Sequence, residues 1–221
     1  MDYDYKAMVK AGYNAIVAKY LASRSTDSED IQLLDELVQR LPRGATVLDA
    51  GCGAGVPVTR TLSQFFAVTG VDFAEEQIRL ARSLVPQAQF LCQDLTELAL
   101  PGESFDAVCS YYAIIHIPRE EHEPLLRNFY RMLKPGGLAL LCLGAEDLAV
   151  DLDDYMGVPM FWSHYTTEAN LDLVRRCGFE LVWWRLVAES TPGPRHLFVL
   201  AQKPTEVTVT SNVRHSTRRP A

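Results

Sequence analysis

The residues best suited to chemistry lie where an apolar run ends in Asp49 and is followed by three alternate glycines, Gly51, Gly53 and Gly55. Glycine has no Cβ, so this turn can adopt positive φ angles and approach a bound ligand closely. The apolar segment 57–68 behind it could supply a helix N-terminus that faces the ligand. Asp49 adds a carboxylate at the end of a predicted strand. Together these residues predict a binding site for a small charged cofactor.

A dinucleotide fingerprint explains these residues less well. The pattern G-x-G-x-x-G would want a small residue at position 56, where this chain has Val56, and it needs no acid before the first glycine. S-adenosylmethionine has no pyrophosphate but carries an α-ammonium and a sulfonium, which a buried carboxylate such as Asp49 can neutralise. On these residues the chain resembles the class I S-adenosylmethionine-dependent methyltransferases.

Two later apolar runs also end in an acid, at intervals that fit strand–helix–strand units. The second predicted strand is followed by Asp72 and Phe73, and the third by Asp94 and Leu95. By resemblance to the family, the first acid would accept both ribose hydroxyls, the aromatic ring would cover the adenine, and the second acid would lie near the adenine amino group. Either aspartate could instead cap the helix or turn that follows it.

The resemblance also implies the fold and the cofactor. The fold would be Rossmann-like α/β, with a seven-stranded, mostly parallel sheet whose last strand is antiparallel and with helices on both faces. S-adenosylmethionine would bind at the carboxyl ends of the strands and leave as S-adenosylhomocysteine. The nearest resemblance is to the small-molecule branch related to ubiquinone and menaquinone biosynthesis methyltransferases. The predicted cofactor contacts are Tyr20, Asp49, Gly51, Cys52, Gly53, Asp72, Phe73, Gln77, Asp94, Leu95 and Ser110.

Methyl transfer from a sulfonium is an in-line displacement, so the protein must align a nucleophile, exclude water and, where needed, remove a proton. His116 lies just beyond the fourth predicted strand and is the first candidate base, because the unperturbed pKa of histidine is near neutrality. It could equally line the cofactor or substrate pocket. His164 is the second candidate. No metal site is predicted.

The segment 144–166 is long and aromatic, which predicts an insertion on the substrate side of the domain. Its acidic and aromatic residues suggest an aromatic or amine-bearing acceptor, since carboxylates and ring faces both attract cations. Oxygen, nitrogen and carbon acceptors all stay open, and part of the segment could simply cover the sheet. The predicted substrate contacts are Tyr13, Tyr111, Tyr112, Met160, Trp162 and Tyr165.

Three regions are expected along the chain. Residues 1–30 would form an N-terminal helical lid, with a polar hinge at 23–30, although plain packing of this helix on the sheet is an alternative. The methyltransferase domain would occupy 31–203. A flexible tail would follow at 204–221, where the composition shows no core pattern.

Composition restricts the partners. A net charge of −7 and a pI of about 5.2 disfavour a nucleic-acid partner, which would need a basic face. No apolar run is long enough to cross a bilayer, and five scattered cysteines indicate reduced thiols. We therefore expect a cytoplasmic monomer or homodimer that acts on a small molecule.

Three alternatives stay open. A macromolecular methyltransferase would rely on the basic tail with Arg214, Arg218 and Arg219. A nicotinamide-dependent oxidoreductase would use Asp72 to bind ribose. A non-catalytic protein would bind the cofactor or a partner without turnover.

Overall fold

The structure is a computed structural model, and it describes residues 4–188 and 194–205. The strands in this part of the chain are β1 (Thr46–Ala50), β2 (Ala67–Asp72), β3 (Gln89–Cys92), β4 (Phe105–Ser110), β5 (Leu133–Leu143), β6 (Leu148–Tyr155), β7 (Val158–His164), β8 (Glu180–Ala188) and β9 (Arg195–Gln202). Seven of them form one sheet in the order β3-β2-β1-β4-β5-β9-β8. Strand β9 is antiparallel to both neighbours and the other pairs are parallel, which confirms the predicted Rossmann-like sheet.

Helices cover both faces of this sheet. The α-helices within the described residues are α1 (Tyr5–Ser23), α2 (Glu29–Gln32), α3 (Asp35–Arg40), α4 (Val58–Leu62), α5 (Glu75–Leu84), α6 (His122–Met132) and α7 (Thr167–Arg176). Leu48 of β1 packs with the buried residues of α6 and α7, whereas its neighbour Val47 packs with those of α2, α3 and α4. Successive side chains of a strand point to opposite faces, so β1 is apolar throughout.

The helix predicted behind the glycine turn is shorter than expected. The segment after the glycine turn is helical only over Val58–Leu62, because the chain must reverse direction to begin β2 at Ala67. A five-residue helix offers no helix N-terminus of the expected kind to a ligand, so that part of the prediction is wrong. After the predicted polar hinge the chain forms two short helices, α2 and α3, which are separated by the buried residues Leu33 and Leu34.

The aromatic segment 144–166 contains an antiparallel hairpin, β6–β7, which the sequence did not indicate. Met156 and Gly157 form its turn, with φ angles of 58° and 92°. Two residues with positive φ are typical of the type I′ turns that join hairpin strands. The usual sequence signal for such a turn is Asn-Gly or Asp-Gly, and Met-Gly does not match it.

Helix α1 packs against this hairpin and not on the main sheet. Val9 and Ile16 of the helix form a buried cluster with Met160 and Phe161 of β7. The ring of Tyr5 stacks on Phe161 with centroids 4.3 Å apart. Simple packing of α1 on the sheet, the alternative considered above, is therefore wrong.

The predicted polar hinge ends in a buried aspartate. Asp30 is 2% exposed and is within 3.2 Å of the Arg24 guanidinium. The hydroxyl of Tyr111 donates to its carbonyl oxygen at 2.8 Å, and that of Tyr112 to its carboxylate at 3.1 Å. These bonds hold the junction between α1 and the rest of the domain.

Most of the predicted tail lies outside the described residues, as do its arginines. Of residues 204–221, the structure describes Pro204 and Thr205.

Candidate active site

The glycine turn at the carboxyl end of β1 has the conformation that its sequence predicts. Gly51, Gly53 and Gly55 have φ angles of 82°, 53° and 75°. A Cβ on Gly51 would lie 2.1 Å from the Cβ of Ala113, so no larger residue fits there without displacing the turn. The Gly51 and Cys52 N–H groups both donate to Val71 O. The turn therefore exposes glycine backbone to a ligand, but the Gly51 and Cys52 N–H groups are already bonded and are not free donors.

Asp49 is a buried carboxylate that lacks a full set of partners. It is 1% exposed, and its Oδ2 accepts a 2.5 Å hydrogen bond from the Thr59 hydroxyl. Its Oδ1 has no hydrogen-bond partner within the described residues. Burial raises the pKa of Asp49 to about 7. An unpaired buried carboxylate oxygen of this kind suits a bound cation.

Asp72 joins the glycine turn to the end of β2. Its Oδ2 accepts from Gly53 N at 3.0 Å and its Oδ1 from Ala74 N at 2.9 Å. Burial raises its pKa to about 6. Asp72 thus holds the turn before α5 and lines a cavity. The N-cap residue of α5 is Ala74 and no side chain caps this helix, so the capping interpretation of Asp72 is not supported. Gln77 lines the same cavity, and its Oε1 has no partner within the described residues.

Asp94, by contrast, both caps a turn and lines the same cavity. Its Oδ1 accepts from the backbone and hydroxyl of Thr96, which caps the short 3-10 turn Leu95–Glu97. Its Oδ2 lies 3.6 Å from Lys6 Nζ, which also donates to Thr96 and Glu121. Lys6 thereby links the start of α1 to Asp94, which follows the end of β3.

One cavity at the carboxyl ends of the parallel strands, where the family resemblance implies the cofactor, is lined by Gly51, Gly53, Asp72, Gln77 and Asp94. It has about 630 Å³ of space not filled by atoms, part of it open to solvent. Helix α1 covers it, with Val9, Tyr13 and Tyr20 in the wall. Of the predicted cofactor contacts, the wall contains Tyr20, Gly51, Gly53, Asp72, Phe73, Gln77, Asp94 and Leu95. We call this the cofactor cavity.

Three predicted cofactor contacts do not line this cavity. Asp49 and Cys52 border a smaller pocket on the other side of the glycine turn, which Gly51 and Gly53 also line. Ser110 is fully buried and donates to Ala50 O at 2.9 Å. Its hydroxyl joins β4 to β1, so the geometry does not support a cofactor contact.

His116 is held in one tautomer by its two neighbours. Its Nδ1 lies 2.7 Å from Phe161 O, and a carbonyl can only accept, so Nδ1 carries the proton. Its Nε2 therefore carries no proton and accepts a hydrogen bond from the Tyr13 hydroxyl at 2.9 Å. Burial lowers the pKa of His116 to about 4, so the ring is neutral at pH 7.

A second cavity, which we call the acceptor cavity, lies beside the first. It has about 1260 Å³ of unfilled space, part of it open to solvent. Tyr13, Tyr20 and His116 line both cavities. Of the other predicted residues, Tyr112, Trp162 and His164 line the acceptor cavity, and His164 Nδ1 donates to Glu146 O at 2.6 Å.

Three predicted substrate contacts lie elsewhere. Met160 is fully buried between α1 and the hairpin. Tyr111 packs on Phe198, and Tyr165 packs beside His122. None of the three lines the cofactor or acceptor cavity, so the structure does not support a direct contact with the acceptor.

Several lining residues were not foreseen from the sequence. In the cofactor cavity they are Lys6, Val9, Ala113 and Ile117. In the acceptor cavity they include the carboxylates of the hairpin, together with Arg195 and His196 of β9. The acidic composition of segment 144–166 indicated the carboxylates of the hairpin, but no sequence pattern connected Arg195 and His196 of β9 with the site.

The comparison with known families identifies the central part of the chain. A family model described as a methyltransferase domain matches residues 47–137, from β1 into β5. Residues 47–137 are a methyltransferase domain. The resemblance to class I S-adenosylmethionine-dependent enzymes is thereby confirmed, together with the cofactor that the family uses.

Curated relatives of the methyltransferase domain act on small molecules. The chain is 35% identical over 105 residues to 2-methyl-6-phytyl-1,4-hydroquinone methyltransferase of Synechocystis sp., covering 46% of this chain and 32% of the relative. It is 32% identical over 165 residues to 27-O-demethylrifamycin SV methyltransferase of Amycolatopsis mediterranei, covering 71% and 55%. The chain thus spans about a third to just over half the length of these relatives.

A solved structure supports the fold. The 1,6-didemethyltoxoflavin-N1-methyltransferase of Burkholderia thailandensis, determined with S-adenosylhomocysteine bound, has a TM-score of 0.72 to this chain at 21% identity. The alignment covers 91% of this chain and 89% of that one.

Two features are absent from the residues that the structure describes. These residues hold no group of three or more His, Cys, Asp or Glu side chains arranged to bind a metal ion. No helix among them is long and apolar enough to cross a membrane.

Proposed function

We propose that this protein transfers a methyl group from S-adenosylmethionine to a small organic acceptor bound in the acceptor cavity. The observation that carries the proposal is the shared wall of the two cavities. Tyr13, Tyr20 and His116 line both, so the methyl donor and its acceptor would meet at these side chains. The small-molecule acceptors named for the relatives support the same class of acceptor.

The residues present fit the cofactor. Asp49, in the adjoining pocket that shares Gly51 and Gly53 with the cavity, has an unpaired buried oxygen for the cofactor's positive charge. Gly51 contributes backbone to the cavity wall, and Asp72 and Gln77 offer acceptors for the cofactor's hydroxyl and amino groups. Asp94, which already binds Thr96 and neighbours Lys6, would accept from the adenine. The bound cofactor supplies an electrophilic methyl group on a sulfonium.

The chain's own residues would then exclude water and handle a proton. Helix α1 covers the cofactor cavity and acts as the lid. His116 Nε2, which accepts from Tyr13, is the best-placed base, because it lies in the wall of both cavities and is neutral at pH 7. His164 lines the acceptor cavity only, so we assign it to the acceptor wall.

The proposal also covers the protein's cellular location, oligomeric state and partners. We propose a cytoplasmic monomer or homodimer without a nucleic-acid partner. The net charge of −7 and the five free thiols support it, since disulfides are rare in reducing compartments.

Thermal unfolding in the presence of S-adenosylhomocysteine, S-adenosylmethionine or NAD(H) tests the cofactor. At 100 times its dissociation constant, the correct ligand should add about 2.7 kcal/mol to the free energy of unfolding. We expect stabilisation by the sulfur nucleosides, lost in Asp72→Asn and retained in Asp172→Asn, whose exposed carboxylate on α7 serves as the matched control. Stabilisation by NAD(H) alone would contradict the proposal.

A further inference from the structure

Five aromatic side chains form a closed circuit in the wall of the acceptor cavity. Tyr13 is followed by Tyr20, Tyr155, Trp162 and His116, which returns to Tyr13. Adjacent ring centroids are 5.3, 6.4, 5.9, 5.6 and 5.4 Å apart in that order. Because three of these rings also line the cofactor cavity, the circuit lies where the two cavities meet.

The circuit is assembled from three separate parts of the chain. Helix α1 supplies Tyr13 and Tyr20, the 3-10 turn after β4 supplies His116, and the hairpin supplies Tyr155 and Trp162. The bonds from His116 to Tyr13 and to Phe161 O connect these parts. Aromatic rings that are already fixed lose little conformational freedom when a ligand binds.

The charge of the same cavity is strongly negative. Four carboxylates and one guanidinium line it: Glu146, Asp151, Asp153, Asp154 and Arg195. Within the described residues, none of the four carboxylates forms an ion pair. His116 and His196 add no positive charge at pH 7, since burial lowers the pKa of each to about 4.

One side chain in this wall has a buried nitrogen without a hydrogen-bond partner within the described residues. His196 is 9% exposed and lines the acceptor cavity, and its Nδ1 has no hydrogen-bond partner within the described residues. Since buried polar groups are nearly always hydrogen-bonded, this histidine indicates a place for a polar group of a ligand.

We propose that the acceptor cavity selects an amine attached to an organic ring or chain, and that the amine nitrogen receives the methyl group; this rests on the proposed function. Ring faces attract ammonium groups, and the carboxylates raise their local concentration. A phenol would have to ionise beside four carboxylates, and the neutral His116 offers no cation to hold the phenolate.

The reaction balances without another reactant. A neutral amine nitrogen forms the N–CH₃ bond while the S–CH₃ bond breaks and leaves its electron pair on sulfur. One positive charge therefore moves from sulfur to nitrogen, and it stays beside aromatic rings and carboxylates throughout. If the amine binds protonated, its proton must first leave to water, because His116 Nε2 already accepts from Tyr13 and burial lowers the pKa of that ring to about 4.

Matched probes test the inference on the full chain saturated with S-adenosylhomocysteine. Isothermal titration calorimetry would compare 2-phenylethylamine with 2-phenylethanol, which differ only in the amine. We expect the amine to bind about tenfold more tightly, with the difference reduced at high salt. Trp162→Leu and Asp151→Asn should each remove most of that difference. Trp184→Leu, which changes an exposed tryptophan of β8, and Asp172→Asn are the controls and should retain it.

Tyramine supplies a second readout, because it carries both a phenol and an amine. With methyl-labelled S-adenosylmethionine, mass spectrometry should find the label on nitrogen. Label on the phenol oxygen would overturn the inference, as would equal binding of the amine and the alcohol, absence of binding by either, or equal losses in Trp162→Leu and Trp184→Leu. If S-adenosylhomocysteine itself fails to stabilise the protein, it is the proposed function that fails.

Discussion

At the scale of single residues, the site depends on groups whose environment is unusual for their type. Asp49 is a carboxylate in the core, with one oxygen bonded to Thr59 and the other unpaired. Gly51 lies against Ala113 so closely that a side chain has no space. The unpaired oxygen makes the domain less stable than it could be, and a bound cofactor would supply its partner.

The ionisation of Asp49 leads to a prediction about binding. Its pKa of about 7 falls between pH 6 and pH 8, and only the ionised form can neutralise the cofactor's positive charge. We expect the affinity for S-adenosylhomocysteine, measured by calorimetry, to fall about tenfold from pH 8 to pH 6. Asp49→Asn should bind more weakly and show little of this dependence. Equal pH dependence in the variant and the wild type would show that another group is responsible.

The glycine turn gives a prediction about stability. Gly51 and Gly44 have nearly the same φ, 82° and 81°, but an added Cβ at Gly44 meets nothing within 4 Å. Gly44→Ala should therefore cost only the strain of positive φ, about 1 kcal/mol. Gly51→Ala adds the clash with Ala113 and should cost at least about 2 kcal/mol more in chemical unfolding. Similar losses in the two variants would contradict this account.

At the scale of elements, the active site is built between helix α1 and the hairpin β6–β7. Both lie outside the seven-stranded sheet, and their mutual packing places Tyr13 and Trp162 around His116. The sheet and its turns line the cofactor cavity, the hairpin lines the acceptor cavity, and α1 lines both.

The contact between α1 and the hairpin is close enough to test. A Cβ on Gly12 would lie 3.0 Å from Met160 Cε and 3.4 Å from Pro159 O. We expect Gly12→Val to displace α1 and weaken S-adenosylhomocysteine binding by about tenfold or more, since four lining residues come from this helix. Ala15→Val, at an exposed position of the same helix, is the control and should bind normally. Unchanged affinity in Gly12→Val would show that α1 is not needed over the cofactor.

At the scale of the whole molecule, buried histidines and buried aspartates have opposite effects on how the free energy of unfolding depends on pH. Burial lowers the pKa of three histidines to about 4 and raises the pKa of two aspartates to about 6 and 7. The histidines are His116, His122 and His196, and the aspartates are Asp72 and Asp49. When the chain unfolds below about pH 6.5, the histidines take up protons, because their pKa returns to its ordinary value. The aspartates release protons, because they are protonated in the folded state and ionised in the unfolded state.

The balance predicts how stability depends on pH. Between about pH 6 and pH 4.5 the unfolded state binds roughly one proton more than the folded state, so the free energy of unfolding should fall by about 1.4 kcal/mol per pH unit as pH falls. In Asp49→Asn the opposing contribution of that aspartate is gone, and the slope should become steeper. Denaturant unfolding at several pH values measures both slopes. A stability that rises toward pH 4.5 would contradict this balance.

The sequence by itself determined the sheet, the cofactor and most of the predicted residues that line the cofactor cavity. Parallel strands bury both faces and so read as apolar runs, and the glycines and acids at their ends lie at fixed intervals along the chain. These are local signals. The residues Gly51, Asp72 and Asp94 could therefore be placed before any contact was known.

Only the tertiary structure decided the acceptor side. The ring circuit joins Tyr13 to His116 and Trp162 over separations of 103 and 149 residues along the chain, and no local pattern records such contacts. The same reason explains why Ser110, Tyr111 and Met160 were expected in the site although they pack elsewhere. Which side chains meet across a cavity depends on how α1 and the hairpin pack together, and that packing exists only in the folded chain.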